Sequence, residues 1–280
     1  MKLKQVMMAI GAALAAPAFA AIANGTSGNG ELFLAVFDST AKVSYTKDLG
    51  ADQDSFFVDA QSDAGYTRSW SLDDADFAAF MRQANVEFVQ WAVLASETSG
   101  GIVAGGQRLF STVKVGDEAK VGATTNQALS NAIGSTQLGT FYNAVNATGS
   151  HAPANDFSVN GTSVNADTDP GNGYFGIPGS GPNMNGNFMW SNANSIGASS
   201  SFHLITRSGV SQLAAVTVDP FANTNRAGSF SLAMAPATAA DLNGAYALTY
   251  ALAPVPEPGT YALMVLGLAG VGFAARRRVR

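Results

Sequence analysis

The feature that most constrains this chain is a series of short apolar or alternating runs, each closed off by Gly, Asn, Asp or Ser. "ELFLAVF" (31–37), "AKVSYT" (41–46), "VEFVQWAVL" (86–94), "QRLFSTVKV" (107–115), "SFHLIT" (201–206), "LAAVTV" (213–218), "SFSLAM" (229–234) and "AYALTYAL" (245–252) have strand length and strand composition. Asp38-Ser39 offers a turn between the first two, making a hairpin. The pattern predicts a mainly β body, a β-sandwich or jelly-roll-like domain carrying one or two accessory helices. One helix is expected through "LDDADFAAFMRQA", opened by a capping box of Ser71 and Asp74, with Phe77, Phe80, Met81 and Ala84 on one face. A second is expected from Asn126 to about Asn146, where Leu129, Ile133, Leu138, Phe141, Tyr142 and Val145 recur near helical spacing and Gly134 and Gly139 can interrupt. Between Thr148 and Ser200 the texture changes to Gly, Asn, Ser and Pro without periodicity, which reads as a loop region.

The two ends differ from this body. Residues 1–20 read as a secretory signal peptide: Lys2 and Lys4, an apolar stretch from Val6 to Ala16, then Ala18-Phe19-Ala20 as a cleavage site before Ala21. Residues 255–280 run "VPEPGTYALMVLGLAGVGFAARRRVR". Gly259 to Ala275 holds no charge, and 17 residues of helix span roughly 25 Å, slightly less than a bilayer core. Arg276, Arg277, Arg278 and Arg280 follow at once, and snorkelling cations extend the reach while marking the cytoplasmic side. Ahead of the span, Pro256 and Pro258 lack N–H groups and push Val255 and Glu257 toward extended backbone, so these four residues cannot join the helix.

Val255-Pro256-Glu257-Pro258, the short apolar helix and the arginine tail resemble the PEP-CTERM sorting signal of Gram-negative bacteria. The resemblance implies an exported protein that reaches the membrane through signal peptidase and the Sec machinery. It is then held as an inner-membrane-anchored intermediate, processed by an integral-membrane exosortase, and delivered to the cell surface or extracellular matrix. "GELFLAVFDSTAKVSYTKDLG" is also similar to the amino-terminal segment of a subset of such proteins. The implied role is structural or exopolysaccharide-associated.

With both ends set aside, the exported domain spans 21–254 and retains nine Lys and Arg against 19 Asp and Glu, a formal charge of −10. Nucleic acid and anionic lipid are poor partners for such a surface. There is no cysteine, so disulfides, thiolate catalysis and thiolate metal ligands are excluded and stability must come from the core.

The body holds few groups that suggest chemistry. Asp167 and Asp169 precede a Pro-Gly turn and could contribute oxygen ligands to calcium. Asp52, Asp54, Asp59 and Asp63 form a second acidic cluster, read as a solvated loop. Tyr174, Phe175 and Trp190, with Phe188, lie in the Gly/Asn-rich region, either as a carbohydrate-contacting set or as staples fixing that region to the core. Gly171, Gly173 and Gly176 satisfy a GxGxxG spacing, but no strand precedes and no helix can follow. His151 and His203 are the two histidines; no nucleophile-elbow pattern accompanies them, and they read as ordinary surface or half-buried residues. The expectation is a non-enzymatic surface protein. The alternatives are a calcium-dependent carbohydrate-binding module, which needs a third carboxylate near Asp167 and Asp169, and an exported hydrolase, which needs a histidine beside a serine or paired carboxylates.

Overall fold

The computed structural model describes residues 21–135, 137–148, 151, 161–169, 173–176, 181–184, 186–223, 226–234, 245–253 and 268. The hairpin β1 (Glu31–Asp38) and β2 (Val43–Asp52) leads into α1 (Gln53–Ser62), β3 (Thr67–Leu72) and α2 (Ala75–Met81). The central strands β4 (Val89–Glu97) and β5 (Arg108–Thr112) precede α3 (Asn126–Ile133) and α4 (Leu138–Asn146). The remaining strands are β6 (Thr162–Ala166), β7 (Asn194–Ser195), β8 (Ser199–Thr206), β9 (Thr217–Pro220), β10 (Ala222–Asn223), β11 (Arg226–Met234) and β12 (Tyr246–Leu252). They form one antiparallel sheet in the order β3-β12-β11-β8-β5-β4-β1-β2-β6, with β7, β9 and β10 attached to β4, β8 and β11.

The mainly β, sandwich-like expectation is met, but by a single sheet that curls into a half-barrel. The curl brings the two ends of the strand order together. Trp70 on β3 donates its indole N–H to the Leu49 carbonyl of β2 at 2.8 Å. The Phe77 ring of α2 lies 5.2 Å from Tyr45 on β2 and 5.6 Å from Tyr246 on β12. The inner face packs Leu32, Leu34, Val36, Trp91, Phe110 and Phe230 around Phe56 and Phe80, delivered by α1 and α2. The outer face of the same central strands, with Phe33, Ala35, Phe37, Ala92, Leu94 and Leu109, is covered by α3 and α4 and by side chains from the 174–193 segment.

Two cores explain the two kinds of strand sequence. β1 is buried at every position, which is why "ELFLAVF" is continuously apolar. β11 and β12 alternate because only one face is covered.

Several boundaries differ from expectation. Ser71 lies in β3, and the cap of α2 is Asp74, whose carboxylate accepts from the Phe77 N–H at 2.9 Å. The acidic cluster is not a loop: Asp52 caps α1 by accepting from Ser55 N–H at 2.9 Å, while Phe56 and Ala60 turn inward. The expected long helix is two, broken at Gly134, where a Cβ would meet the Ser130 carbonyl at 2.9 Å. "LAAVTV" enters its strand only at Thr217 and leaves Leu213 exposed. The accessory helices thus number four among the described residues.

The Phe56 ring sits 5.0–6.1 Å from the rings of Tyr66, Phe202, Phe221, Phe230 and Tyr250. Truncation to alanine empties the middle of the inner core, which cannot collapse around five rigid rings. Phe56→Ala is expected to cost about 3–5 kcal/mol, read as a lower urea midpoint at unchanged slope.

Candidate functional site

Among the described residues, the buried titratable groups gather where β1 and β2 begin and end. Between the pairs Phe33–Asp48 and Glu31–Asp52 the register shifts, because β2 carries extra residues there. Gly50, at φ +55°, forms the bulge, and Asp48 Oδ1 accepts its N–H at 2.9 Å. The bulge puts Glu31 and Asp48 on the outer face, each at most 1% exposed. The Glu31 carboxylate also accepts the Ala23 N–H at 3.2 Å, so the chain ahead of β1 laps over the pair.

Two carboxyls this close in an apolar setting cannot both ionise. Burial, reinforced by the neighbouring Asp48, pushes Glu31 up to about 9. Burial raises Asp48 as well, opposed by the hydrogen bond it receives from Glu31. Glu31 therefore carries the shared proton and donates it to Asp48, whose Oδ2 has no amide, hydroxyl or amine donor. Close by, Ser96 donates to the Tyr142 hydroxyl at 3.4 Å. Gly30 is required here: a Cβ would lie 2.1 Å from the Ser96 carbonyl oxygen.

The histidines are more enclosed than expected. His151 is 2% exposed, with Nε2 3.0 Å from Ser163 Oγ, and His203 is 7% exposed, with Nε2 3.0 Å from Ser201 Oγ. Each ring thus meets a serine, the first requirement of the hydrolase alternative. Nδ1 of neither ring has a carboxylate partner, so the third member of a triad is missing among the described residues. Burial pushes His151 down to about 4 and lowers His203, the latter opposed by the charges of Glu118 and Asp219.

The other candidates are placed as follows. Asp167 pairs with Lys42 at 2.8 Å, and Asp169 accepts the Ala166 N–H within its own turn at 2.6 Å. Among the described residues no group of three His, Cys, Asp or Glu side chains is arranged to hold a metal ion. The carbohydrate set is buried. Phe175 packs 5.2 Å from Phe37 and 5.4 Å from Phe141. Trp190 stacks on Phe188 at 4.6 Å and donates to Thr124 Oγ1 at 2.8 Å, and Tyr174 is only 3% exposed. Their faces are taken up by the outer core, so these rings staple the Gly/Asn-rich region to the sheet and offer no platform to a sugar.

Residues 1–20, the motif Val255, Pro256, Glu257 and Pro258, and the arginines Arg276, Arg277, Arg278 and Arg280 lie outside the described residues. No described helix is long and apolar enough to cross a membrane, and of the expected span only Leu268 is described, helical and exposed. What the structure defines is where the tail departs: β12 ends at Leu252, and Ala253 donates its N–H to the Ala227 carbonyl at 2.8 Å.

Comparison with known proteins adds one finding at that point. Residues 254–278 match the PEP-CTERM protein-sorting motif. No curated protein and no solved structure matches the chain. The tail is thus the PEP-CTERM sorting signal of an exosortase substrate, and the chain is an exported protein sorted through its carboxyl terminus.

The buried groups predict a broad stability optimum at mildly acidic pH. Between the ordinary value of 4.5 and about 9, Glu31 holds a proton only in the fold, so stability falls as pH rises through that range. Between 6.5 and about 4, His151 binds a proton only when unfolded, and His203 acts in the same sense, so stability also falls as pH drops. The melting temperature is expected to change little between about pH 4.5 and 6.5, where Glu31 and His151 oppose each other, and to fall from about pH 6.5 toward pH 9. Glu31→Gln, which donates to Asp48 without an ionisable proton, is expected to melt well above the parent at pH 8 and nearly with it near pH 4.5.

Proposed function

We propose that this protein is a non-enzymatic component of the cell surface or extracellular matrix, associated with exopolysaccharide, and that its β body is the part that remains after sorting. The observation that carries the reading is the position of the sorting motif: it starts at residue 254, directly after Ala253, the last described residue tied into the sheet. A processing enzyme acting at Val255–Pro258 would meet an extended, hydrogen-bond-poor peptide next to a folded domain.

Two features of the body support a structural or binding role over a hydrolytic one. The histidine–serine pairs are enclosed and, among the described residues, lack a carboxylate on Nδ1. The acid pair lies under the segment ahead of β1, with its two carboxyls satisfying each other. Before processing, the tail helix anchors the body outside the inner membrane; signal peptidase and the Sec machinery act earlier, at the leader.

Intact mass of the protein from membrane and extracellular fractions of producing cells tests this. The expected extracellular species lacks residues up to about Ala20 and everything after the Val255–Pro258 segment. The double variant Pro256→Ala, Pro258→Ala is expected to stay in the membrane fraction with Arg280 present. A parent protein that keeps Arg280 in every fraction would contradict sorting by cleavage. Exopolysaccharide from the same cells that fails to co-sediment with the extracellular species would remove the matrix role.

A further inference from the structure

The strand order sends both termini out of one end of the half-barrel. β1 begins there at Glu31 and β12 finishes there at Leu252. β4 ends and β5 starts there, paired Glu97 to Arg108, and Arg108 is paired in turn with Thr206 at the end of β8. The β4–β5 and β8–β9 loops therefore lie at the same end as the exit of the tail, and β8 runs on past the level of Leu252 to reach its loop. They are joined to each other: Gly105 N–H donates to the Arg207 carbonyl at 2.8 Å, and Arg207 N–H to the Gln107 carbonyl at 2.9 Å.

These loops present apolar side chains on a firmly held backbone. Ile102 and Val103 are 56% and 51% exposed, Val210 73% and Leu213 82%. The β8–β9 loop is held from below by Arg207, 1% exposed, whose guanidinium donates to the Gly209 and Val210 carbonyls, to the Asn126 carbonyl and to Ser130 Oγ. Asn126 secures it again, accepting from Ser208 N–H at 3.0 Å and donating to the Ser211 carbonyl at 2.7 Å. A loop whose polar groups are so fully bonded has no packing reason to leave a valine and a leucine in water.

The linker supplies the occupant. Residues 254–258, between the last sheet-bound residue and the start of the apolar run, number five, three of them proline, and reach at most about 17 Å. The opposite end of the barrel lies a strand length further off, about 25 Å for the eight residues of β8. We propose that, while the tail is inserted, the end carrying Ile102, Val103, Val210 and Leu213 docks on the bilayer and buries these side chains in its interfacial zone. The proposal rests on the tail being a membrane anchor. The ligand is an uncharged or zwitterionic lipid surface: Asp54 and Glu97 surround Arg108 at this end, so attraction to anionic headgroups does not drive the contact.

The absence of native cysteine makes the test direct. Single cysteines replacing Val210, Leu213, Phe88, Ser39 or Leu266 in the full chain are labelled with an environment-sensitive fluorophore. Each protein is then reconstituted into phosphatidylcholine vesicles with or without spin-labelled lipid. Phe88, 51% exposed, lies just ahead of β4 at the far end and Ser39 in the β1–β2 turn, so they report general adsorption. The expected result is a blue shift and at least twofold lipid quenching at 210, 213 and 266, with none at 39 or 88. Quenching at 266 alone would overturn the docking while leaving the anchor intact. Equal quenching at 88 and 210 would also overturn it, as non-specific adsorption, and so would a blue shift at 210 without vesicles, which would assign the loops to contact between copies. No quenching at 266 would remove the anchored tail and the docking with it.

Discussion

The rest of the structure depends on one strand being buried on both faces. β1 sends Leu32, Leu34 and Val36 into the inner core and Phe33, Ala35 and Phe37 into the outer one. Such a strand has a register problem. In a half-buried strand, a one-residue slip drives polar side chains into the core and is rejected at once. In β1 a slip exchanges one apolar set for another, and the hydrophobic pattern opposes it only weakly.

Polar groups at the two ends of β1 supply the missing specification. At one end Asp38, fully buried, accepts the N–H groups of Thr40 and Ala41 at 2.7 and 3.0 Å and that of Asn85 at 2.9 Å. At the other end Glu31 meets Asp48 and the Ala23 N–H. A slip in either direction would leave these carboxyls in apolar surroundings without partners, at about 1–3 kcal/mol per lost hydrogen-bonding group and more for a charge. The acid pair lowers stability as pH rises, yet it sits where a misaligned β1 would be penalised most. A groove or cleft is not required to explain it.

This distribution also sets what a reader of the sequence could see. "ELFLAVF" was legible because burial on both faces leaves a continuous run, and the tail because a motif in extended peptide carries its own information. α1 was hidden because "QDSFFVDAQS" fully buries only Gln53, Phe56 and Ala60, with Phe57 half-buried against the same core, and acidic residues mask so sparse a face. The Gly/Asn-rich region was misleading for a different reason. Tyr174, Phe175, Met184, Phe188 and Trp190 enter the outer core one at a time from irregular backbone, so burial there leaves no period in the sequence. Glu31 and Asp48 were invisible as a pair because their meeting depends on the bulge at Gly50, which no local spacing announces. His151 and His203 were read as ordinary surface or half-buried residues, since nothing near them in sequence names Ser163 as a contact or predicts enclosure.

The way the sheet ends bears on how sorting can proceed. β12 is an interior strand, bonded to β11 along Gly228–Met234 and to β3 along Thr67–Leu72. Its exit is closed by Arg226, which donates to the carbonyls of Leu252, Ala253 and Ala64 and so ties the last two residues before the tail to β11 and to the turn ahead of β3. Among the described residues the bonds that fix the end of the body run up to residue 253, while Pro254, Pro256 and Pro258 have no N–H with which to extend the ladder. A pull on the tail loads an interior strand along its length instead of peeling an edge. A membrane enzyme that holds the tail thus pulls against a strand bonded on both sides, which resists unfolding while the tail is cut.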